Sequence, residues 1–174
     1  MRVSALASEV VQYCLVVKDV EAAVAAWSRD LGAGPFFLLD PFVGVRERPD
    51  GSQSRSVARI ALGQCGPVQI ELVELIEGTD SIFSQATLGT GVAGFHHVAV
   101  FAHDLEAAVA DFAGKGFAWW QRSDDIVFID CRDSLGFFVE IYRGGRGIEA
   151  VYEKIARAAA GWDGSRPLRP YVEM

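Results

Sequence analysis

Two stretches of the chain share one pattern of apolar and polar positions. Each begins with a short apolar run, at 12–17 and again at 97–102, and passes through an aspartate into an alanine-rich segment. Gln12 corresponds to His97 and Asp19 to Asp104, an offset of 85 positions in both cases. A constant offset over such a stretch predicts two structural units of the same kind in one chain.

The alanine-rich segments predict helices. Asp19 and Asp104 are suited to the N-cap, where a short carboxylate accepts a hydrogen bond from a free backbone N–H. Apolar residues follow each aspartate at helical spacing, and Gly32 and Gly116 are placed to end the two helices.

Strands are predicted where short runs rich in β-branched and aromatic residues lie between turn residues. In the first unit they are Pro35–Leu39, Ser56–Leu62 and Val68–Leu75, and in the second Phe117–Arg122, Ile126–Cys131 and Phe137–Tyr142. Residues 41–54 are interpreted as a long hairpin loop or lid, and residues 148–160 as a third helix.

The predicted fold class is therefore α+β. Neither βαβββ module can bury its sheet alone, so we expect two paired modules forming one curved, open-barrel mixed sheet with a C-terminal helix. We predict one domain over 1–174, with the first module at 9–76, a linker at 77–94, the second module at 95–143, and a C-terminal helix and tail at 144–174.

Composition excludes several classes of protein. The net charge of −7 argues against a nucleic-acid partner, and no apolar run reaches the roughly 20 residues of a membrane span. The first nine residues lack the apolar core of a signal peptide. Three scattered cysteines make neither a disulfide framework nor a zinc ribbon, so we expect a cytoplasmic protein.

Each module places polar residues inside its first and last apolar strands: Gln12 and Glu71, then His97 and Glu140. Because side chains alternate between the two faces of a strand, these four are expected on the concave face. The same parity assigns further residues to that face as candidate substrate contacts, namely Cys14, Gln69, Val73, Phe101, Phe138 and Tyr142. It assigns His96 and Glu74 to the opposite face.

Each of the four polar residues also has a structural interpretation. Gln12 and Glu71 could face solvent, Glu140 could pair with Arg143, and His97 could serve packing alone. Their equivalent places in a repeated unit favour a shared site instead. Two carboxylates, an imidazole and an amide oxygen suit one divalent metal, either Zn, Ni, Co, Mn or Fe(II), and a dication offsets the cost of burying two carboxylates together.

The paired βαβββ pattern, with the runs 96–100, 104–106 and 136–141, resembles the vicinal oxygen chelate superfamily, which includes glyoxalase I, methylmalonyl-CoA epimerase, extradiol dioxygenases and bleomycin-binding proteins. The resemblance places that superfamily's metal ligands on Gln12, Glu71, His97 and Glu140. It implies Glu140 as the first choice of catalytic base and Glu71 as the second, with Glu47 in the lid as a weaker alternative. The chain departs from the epimerase, which usually has histidine in place of Gln12, and lacks insertions expected of a glutathione-binding glyoxalase I.

The resemblance implies a metal-dependent isomerase or lyase that abstracts a proton next to a carbonyl. Two alternatives stay open: a metal-free binding protein of the bleomycin-resistance type and an Fe(II) extradiol dioxygenase. The expected partner is a small-molecule carbonyl substrate, and a homodimer is left open. Arg46, Arg48 and Arg55 either meet an anionic part of that substrate or form a solvated loop.

Overall fold

A computed structural model describes residues 9–85, 88–89 and 93–174. The predicted absence of a signal peptide was based on the first nine residues, and residues 1–8 lie outside the described range. Residues 86–87 and 90–92 of the predicted linker also lie outside it. The strands of the first half are β1 (Gln12–Val17), β2 (Phe36–Glu47), β3 (Gln53–Cys65) and β4 (Val68–Glu77). The later strands are β5 (Leu88–Gly89), β6 (Ala93–Ala102), β7 (Trp119–Arg122), β8 (Ile126–Asp130), β9 (Phe138–Arg143) and β10 (Leu168–Pro170).

The two modules have the same strand order, which confirms the predicted α+β fold. β1 pairs in parallel with β4 and β6 pairs in parallel with β9, while β4–β3–β2 and β9–β8–β7 are antiparallel. The modules join through the antiparallel pair β1–β6. At the other end of the sheet, β2 of the first module pairs with β7 of the second, where Glu47 is opposite Arg122. The sheet is thus a curved mixed sheet in an uneven ring.

Among the described residues, the α-helices are α1 (Val20–Leu31), α2 (Leu105–Gly114), α3 (Arg132–Leu135) and α4 (Ile148–Ala159). Asp19 caps α1 by accepting from the Ala22 amide at 2.8 Å, and Asp104 caps α2 by accepting from Ala107 at 3.0 Å. Gly32 ends α1 in the left-handed region, at φ 65°. The predicted starts of α1 and α2 are confirmed.

Helices cover the sheet on different sides. α1 and α2 pack on the outer face, each over its own module, where Val20 and Leu105 are fully buried. α4 packs inside the curve, where Ile155 joins Phe37, Phe128 and other residues of the inner core. The C-terminal helix therefore covers part of the inner surface that carries the candidate site.

The segment predicted as a lid is mostly strand, and that prediction was wrong. β2 continues through residues 41–47 and β3 begins at Gln53, so only a short turn remains between them. Pro41 has no N–H for the sheet, and the β2–β3 register shifts between Leu39 and Phe42. The proline interrupts the ladder of hydrogen bonds without ending the strand.

Two short strands add to the expected set. The expected linker carries β5 and the beginning of β6. After the irregular stretch 161–167, β10 pairs in parallel with the beginning of β2. Within the described part of the chain, none of the helices is long and apolar enough to span a membrane.

Candidate metal centre and cavity

The structure brings three of the predicted ligand residues together on the inner face of the sheet. Nε2 of His97 lies 3.3 Å from Oε2 of Glu71 and 3.0 Å from Oε2 of Glu140. Gln12 lines the same cavity as the two glutamates, and its side-chain Nε2 donates to Oε1 of Gln69 at 2.6 Å. All four predicted residues are at least nine-tenths buried.

A β-bulge changes the expected position of His96. In the β1–β6 ladder Cys14 pairs with His97 and Leu15 pairs with Phe95, so His96 has no partner across the strands. Such an extra residue breaks the alternation of side chains. Both imidazoles contact the ring of Phe128 inside the sheet. The parity prediction that His96 faces away was therefore wrong.

His96 fixes the hydrogen-bonding state of His97. Its Nε2 lies 2.9 Å from the carbonyl oxygen of Ile82, and a carbonyl only accepts, so this nitrogen carries a hydrogen. Burial, followed by the neighbouring His97, lowers the pKa of His96 to about 3, so its Nδ1 has a free lone pair. That Nδ1 lies 2.7 Å from Nδ1 of His97, which must be the donor. Nε2 of His97 is thereby left facing the two glutamates.

The electrostatics of the cluster favour a cation. Burial alone would lower the pKa of His97, but the negative charges of the neighbouring Glu140 and Glu71 outweigh it and raise the pKa to about 9. A protonated His97 still balances only one of the two buried carboxylates. One buried negative charge therefore remains without a counterion in the cluster, an expensive arrangement in a protein interior.

The residues present fit a divalent metal. Four side-chain atoms of this cluster are buried without a hydrogen-bond partner among the described residues: Gln12 Oε1, Glu71 Oε2, His97 Nε2 and Glu140 Oε2. The atoms of the two glutamates and the histidine lie within 4.8 Å of one another. Ligand atoms held at roughly 2.1 Å from one ion are separated by roughly 3.0–3.4 Å, which agrees with the distances from His97 to both carboxylates.

A second trio of metal-binding residue types, Cys14, His96 and His97, is also compact. It does not make a better site, because both nitrogens of His96 are already engaged with Ile82 and His97. Burial, reinforced by the charge of Glu71, raises the pKa of the Cys14 thiol well above its usual value. A metal requires the thiolate, so this thiol is a poor ligand.

A cavity of about 280 Å³ opens from the cluster. Gln69 and Tyr142 line it, as predicted for substrate contacts. Cys14, Val73 and Phe138 lie in the inner core beneath it and are not among its lining residues. Phe101 borders a neighbouring depression, against the ring of Tyr152.

Two other predicted groups lie elsewhere. Glu47 is exposed at the end of β2, away from the cavity lining. Glu74 lies on the outer face, as parity predicts, where it accepts from Arg59 at 3.2 Å and from the Val20 amide at 3.0 Å. Of the three arginines considered for an anionic ligand, Arg46 lines the cavity.

The C-terminal segment forms part of the cavity wall, which the sequence pattern did not indicate. The contributing residues are Ile148, Val151, Tyr152 and Tyr171. The amphipathic spacing of α4 was visible in the sequence, but periodicity alone shows that a helix packs and leaves open which surface it covers.

Known proteins support the same fold. The model of the glyoxalase/bleomycin resistance protein/dioxygenase superfamily matches residues 11–132. A crystal structure of methylmalonyl-CoA epimerase from Mycobacterium tuberculosis is similar with a TM-score of 0.58 at 19% identity, over 86% of this chain and 96% of that one. A hypothetical protein from Bacillus halodurans C-125 is similar with a TM-score of 0.53 at 18% identity, over 79% and 95% of the two chains.

A search of curated protein sequences finds no match to this chain. The family model covers well over half of the sequence and includes the first module and most of the second. It agrees with the resemblance found from the paired βαβββ pattern and with the strand order of the structure. The chain belongs to the glyoxalase/bleomycin resistance protein/dioxygenase superfamily, the vicinal oxygen chelate proteins.

Proposed function

We propose that the chain is a divalent-metal-dependent isomerase or lyase that removes a proton from the carbon next to a carbonyl group. The observation that carries the proposal is the set of buried, unpartnered polar atoms on Gln12, Glu71, His97 and Glu140 at the end of a largely apolar cavity. Buried polar groups are almost always satisfied, so four orphaned atoms at one place indicate a missing cationic partner.

These four residues would hold the metal, and the oxygen and nitrogen donor set suits Zn, Ni, Co, Mn or Fe(II). A bound dication supplies Lewis-acid stabilisation of the negative charge that develops on a carbonyl oxygen. Gln69 orients the amide of Gln12 through their hydrogen bond, and His96 orients His97.

Glu140 is our first choice for the base. Its carboxylate is buried, borders the cavity and lies beside His97. An apolar surrounding excludes water and strengthens the interaction of a carboxylate with a polarised substrate. Glu71 occupies the equivalent place in the first module and is the second choice. Tyr152 also lines the cavity, and its buried hydroxyl is available to a substrate oxygen.

The alternatives fit the site less well. A non-haem iron dioxygenase uses two histidines and one carboxylate, whereas His96 spends both nitrogens on hydrogen bonds and leaves one histidine for the metal. A metal-free binding groove gains nothing from two carboxylates that face each other across His97. The epimerase from Mycobacterium tuberculosis shares the fold, so that fold accommodates an epimerase.

Solvent-deuterium incorporation tests the proposal. Metal-loaded wild-type protein is incubated in D₂O with a 2-hydroxy-carbonyl compound or an acyl-CoA thioester, and exchange at the α-carbon is followed by NMR. We expect exchange in the wild type and a loss of roughly 10²–10⁴-fold in Glu140→Gln, because glutamine retains an oxygen donor but takes up no proton near neutral pH.

Glu74→Gln is the matched control, since Glu74 lies on the outer face beside Arg59; it should exchange at the wild-type rate. Metal content is measured in each variant, so that a lost base is separated from a lost metal. Wild-type exchange in metal-loaded Glu140→Gln would move the base to Glu71. Absence of exchange with every carbonyl compound in the metal-loaded wild type would overturn the proposed function.

A further inference from the structure

Arg46 places a partly buried cationic side chain in the wall of the cavity. Its Nε is buried without a hydrogen-bond partner among the described residues, and its Nη1 makes only a long bond of 3.3 Å to the carbonyl of Val45. The two arginines nearest to it in sequence are engaged differently: Arg48 lies 3.8 Å from Asp80 and Arg55 lies 3.6 Å from Glu77. No carboxylate of the described chain lies within ion-pair distance of Arg46.

The surroundings of Arg46 make this lack of a partner costly. Most other lining residues are apolar, including Leu39, Phe42, Ile60 and Leu62. A guanidinium against such a wall loses part of its hydration, and an anion with two oxygens is the partner that best restores its hydrogen bonds.

Charge balance gives the sign and the number of charges on the ligand. The two carboxylates of Glu71 and Glu140 cancel a bound dication, so Arg46 leaves one positive charge in the cavity. A neutral ligand leaves that charge unbalanced, while a dianion exceeds it. The sum favours a ligand with a single negative charge.

Size limits the ligand further. A cavity of about 280 Å³ lies near the lower end of ligand-binding pockets. Tyr171 and the α4 residues Ile148 and Val151 form part of its wall. A small molecule fits within this volume, whereas a nucleotide-sized group would have to lie outside.

We propose that the cavity binds small monocarboxylates that carry a carbonyl or hydroxyl group beside an apolar chain, with the carboxylate paired to Arg46. This inference rests on the proposed function for the metal that balances Glu71 and Glu140. Arg46 binds the carboxylate of the substrate in this arrangement and takes no part in proton transfer.

Calorimetric titration of metal-loaded protein tests the proposal with two probes of the same shape, 4-methyl-2-oxopentanoate and its neutral amide. We expect the acid to bind roughly 10- to 100-fold more tightly than the amide, the range for a charge-assisted pair. Arg46→Gln should remove that preference by weakening the acid alone, and Arg46→Lys should restore part of it, because lysine keeps the charge without the planar fork.

Arg55→Gln is the matched control, since Arg55 pairs with Glu77 outside the cavity lining; it should keep the full preference. Equal binding of acid and amide to the wild type would overturn the proposal, even if the Arg46 variants fail to fold. So would an unchanged preference in folded Arg46→Gln. A retained acid preference without proton exchange would uphold the anion subsite and count against the proposed function. Proton exchange without an acid preference would uphold the proposed function and overturn the anion subsite.

Discussion

At the scale of single residues, a buried chain of hydrogen bonds from the Ile82 carbonyl through His96 to His97 controls the candidate centre. Each link depends on the one before it: the carbonyl fixes the hydrogen on His96, and His96 fixes the hydrogen on Nδ1 of His97. The second nitrogen of a metal-binding histidine usually has such a partner, which holds the ring in one orientation. His96 is accordingly a positioning residue.

Replacing His96 by phenylalanine should weaken metal binding by roughly 10- to 100-fold, the usual effect of losing a partner behind a metal ligand. The ring contacts of His96 with Phe83 and Phe138 would largely persist, so the metal-free protein should remain folded. Metal affinity is measured by competition with a chromophoric chelator, and folding by circular dichroism.

His96→Gln keeps one donor and one acceptor and should lose less affinity than His96→Phe. The exposed His103 provides the matched control, and His103→Phe should bind metal as the wild type does. If His96→Phe bound metal with wild-type affinity, the positioning role assigned to His96 would be wrong.

At the scale of strands and helices, a close packing contact between β2 and β3 holds one wall of the sheet. A Cβ built on Gly63 would lie 2.5 Å from the ring of Phe36, which is fully buried. The ring therefore occupies the space that a side chain at position 63 would need, and it has little room to move.

Gly63→Ala should lower the free energy of unfolding by about 1–3 kcal/mol, the usual cost of overpacking a core. Gly114→Ala, at the end of α2 with no atom within 4 Å of the added Cβ, should be neutral or stabilise by up to about 1 kcal/mol. Urea unfolding of both variants measures the difference. Equal stability of the two variants would show that the Phe36 ring can shift to accommodate the added methyl group without loss of stability.

The sequence was most informative where one local rule determined the structure. The caps at Asp19 and Asp104 depend on the chemistry of a single side chain, and the repeat revealed two modules with the same strand order. Parity also assigned Glu71 and Glu140 to the inner face and Glu74 to the outer face, as the structure has them, because β4 and β9 are regular around these residues.

Parity failed at His96 because a bulge adds one residue to β6 opposite β1. Nothing in the local pattern marks that bulge, since it arises from the pairing of distant strands. The prediction also made the β2–β3 hairpin too short, because it ended the strand at Pro41. In the structure the ladder of hydrogen bonds resumes at Phe42. Long-range pairing overrode a correct local signal in both places.

At the scale of the whole molecule, both modules and the C-terminal segment contribute to one interior. Gln12 and Glu71 come from the first module, and His97 and Glu140 from the second. α4 and Tyr171 then close part of the cavity over them. The role of the C-terminal segment lay beyond the sequence pattern, because its packing surface is built from strands remote in the chain.

The divalent metal ion that we propose at this shared centre takes its ligands from both modules. Elemental analysis measures its presence in protein purified without chelator, and again after incubation with Zn, Ni, Co or Mn followed by desalting. We expect about one ion per chain in the wild type and in Glu74→Ala, and far less in His97→Ala and Glu140→Ala, since removing a ligand from a small donor set sharply lowers metal affinity. A wild-type protein that retains no metal after any of these incubations, or a His97→Ala variant that retains a full equivalent, would rule out this metal centre.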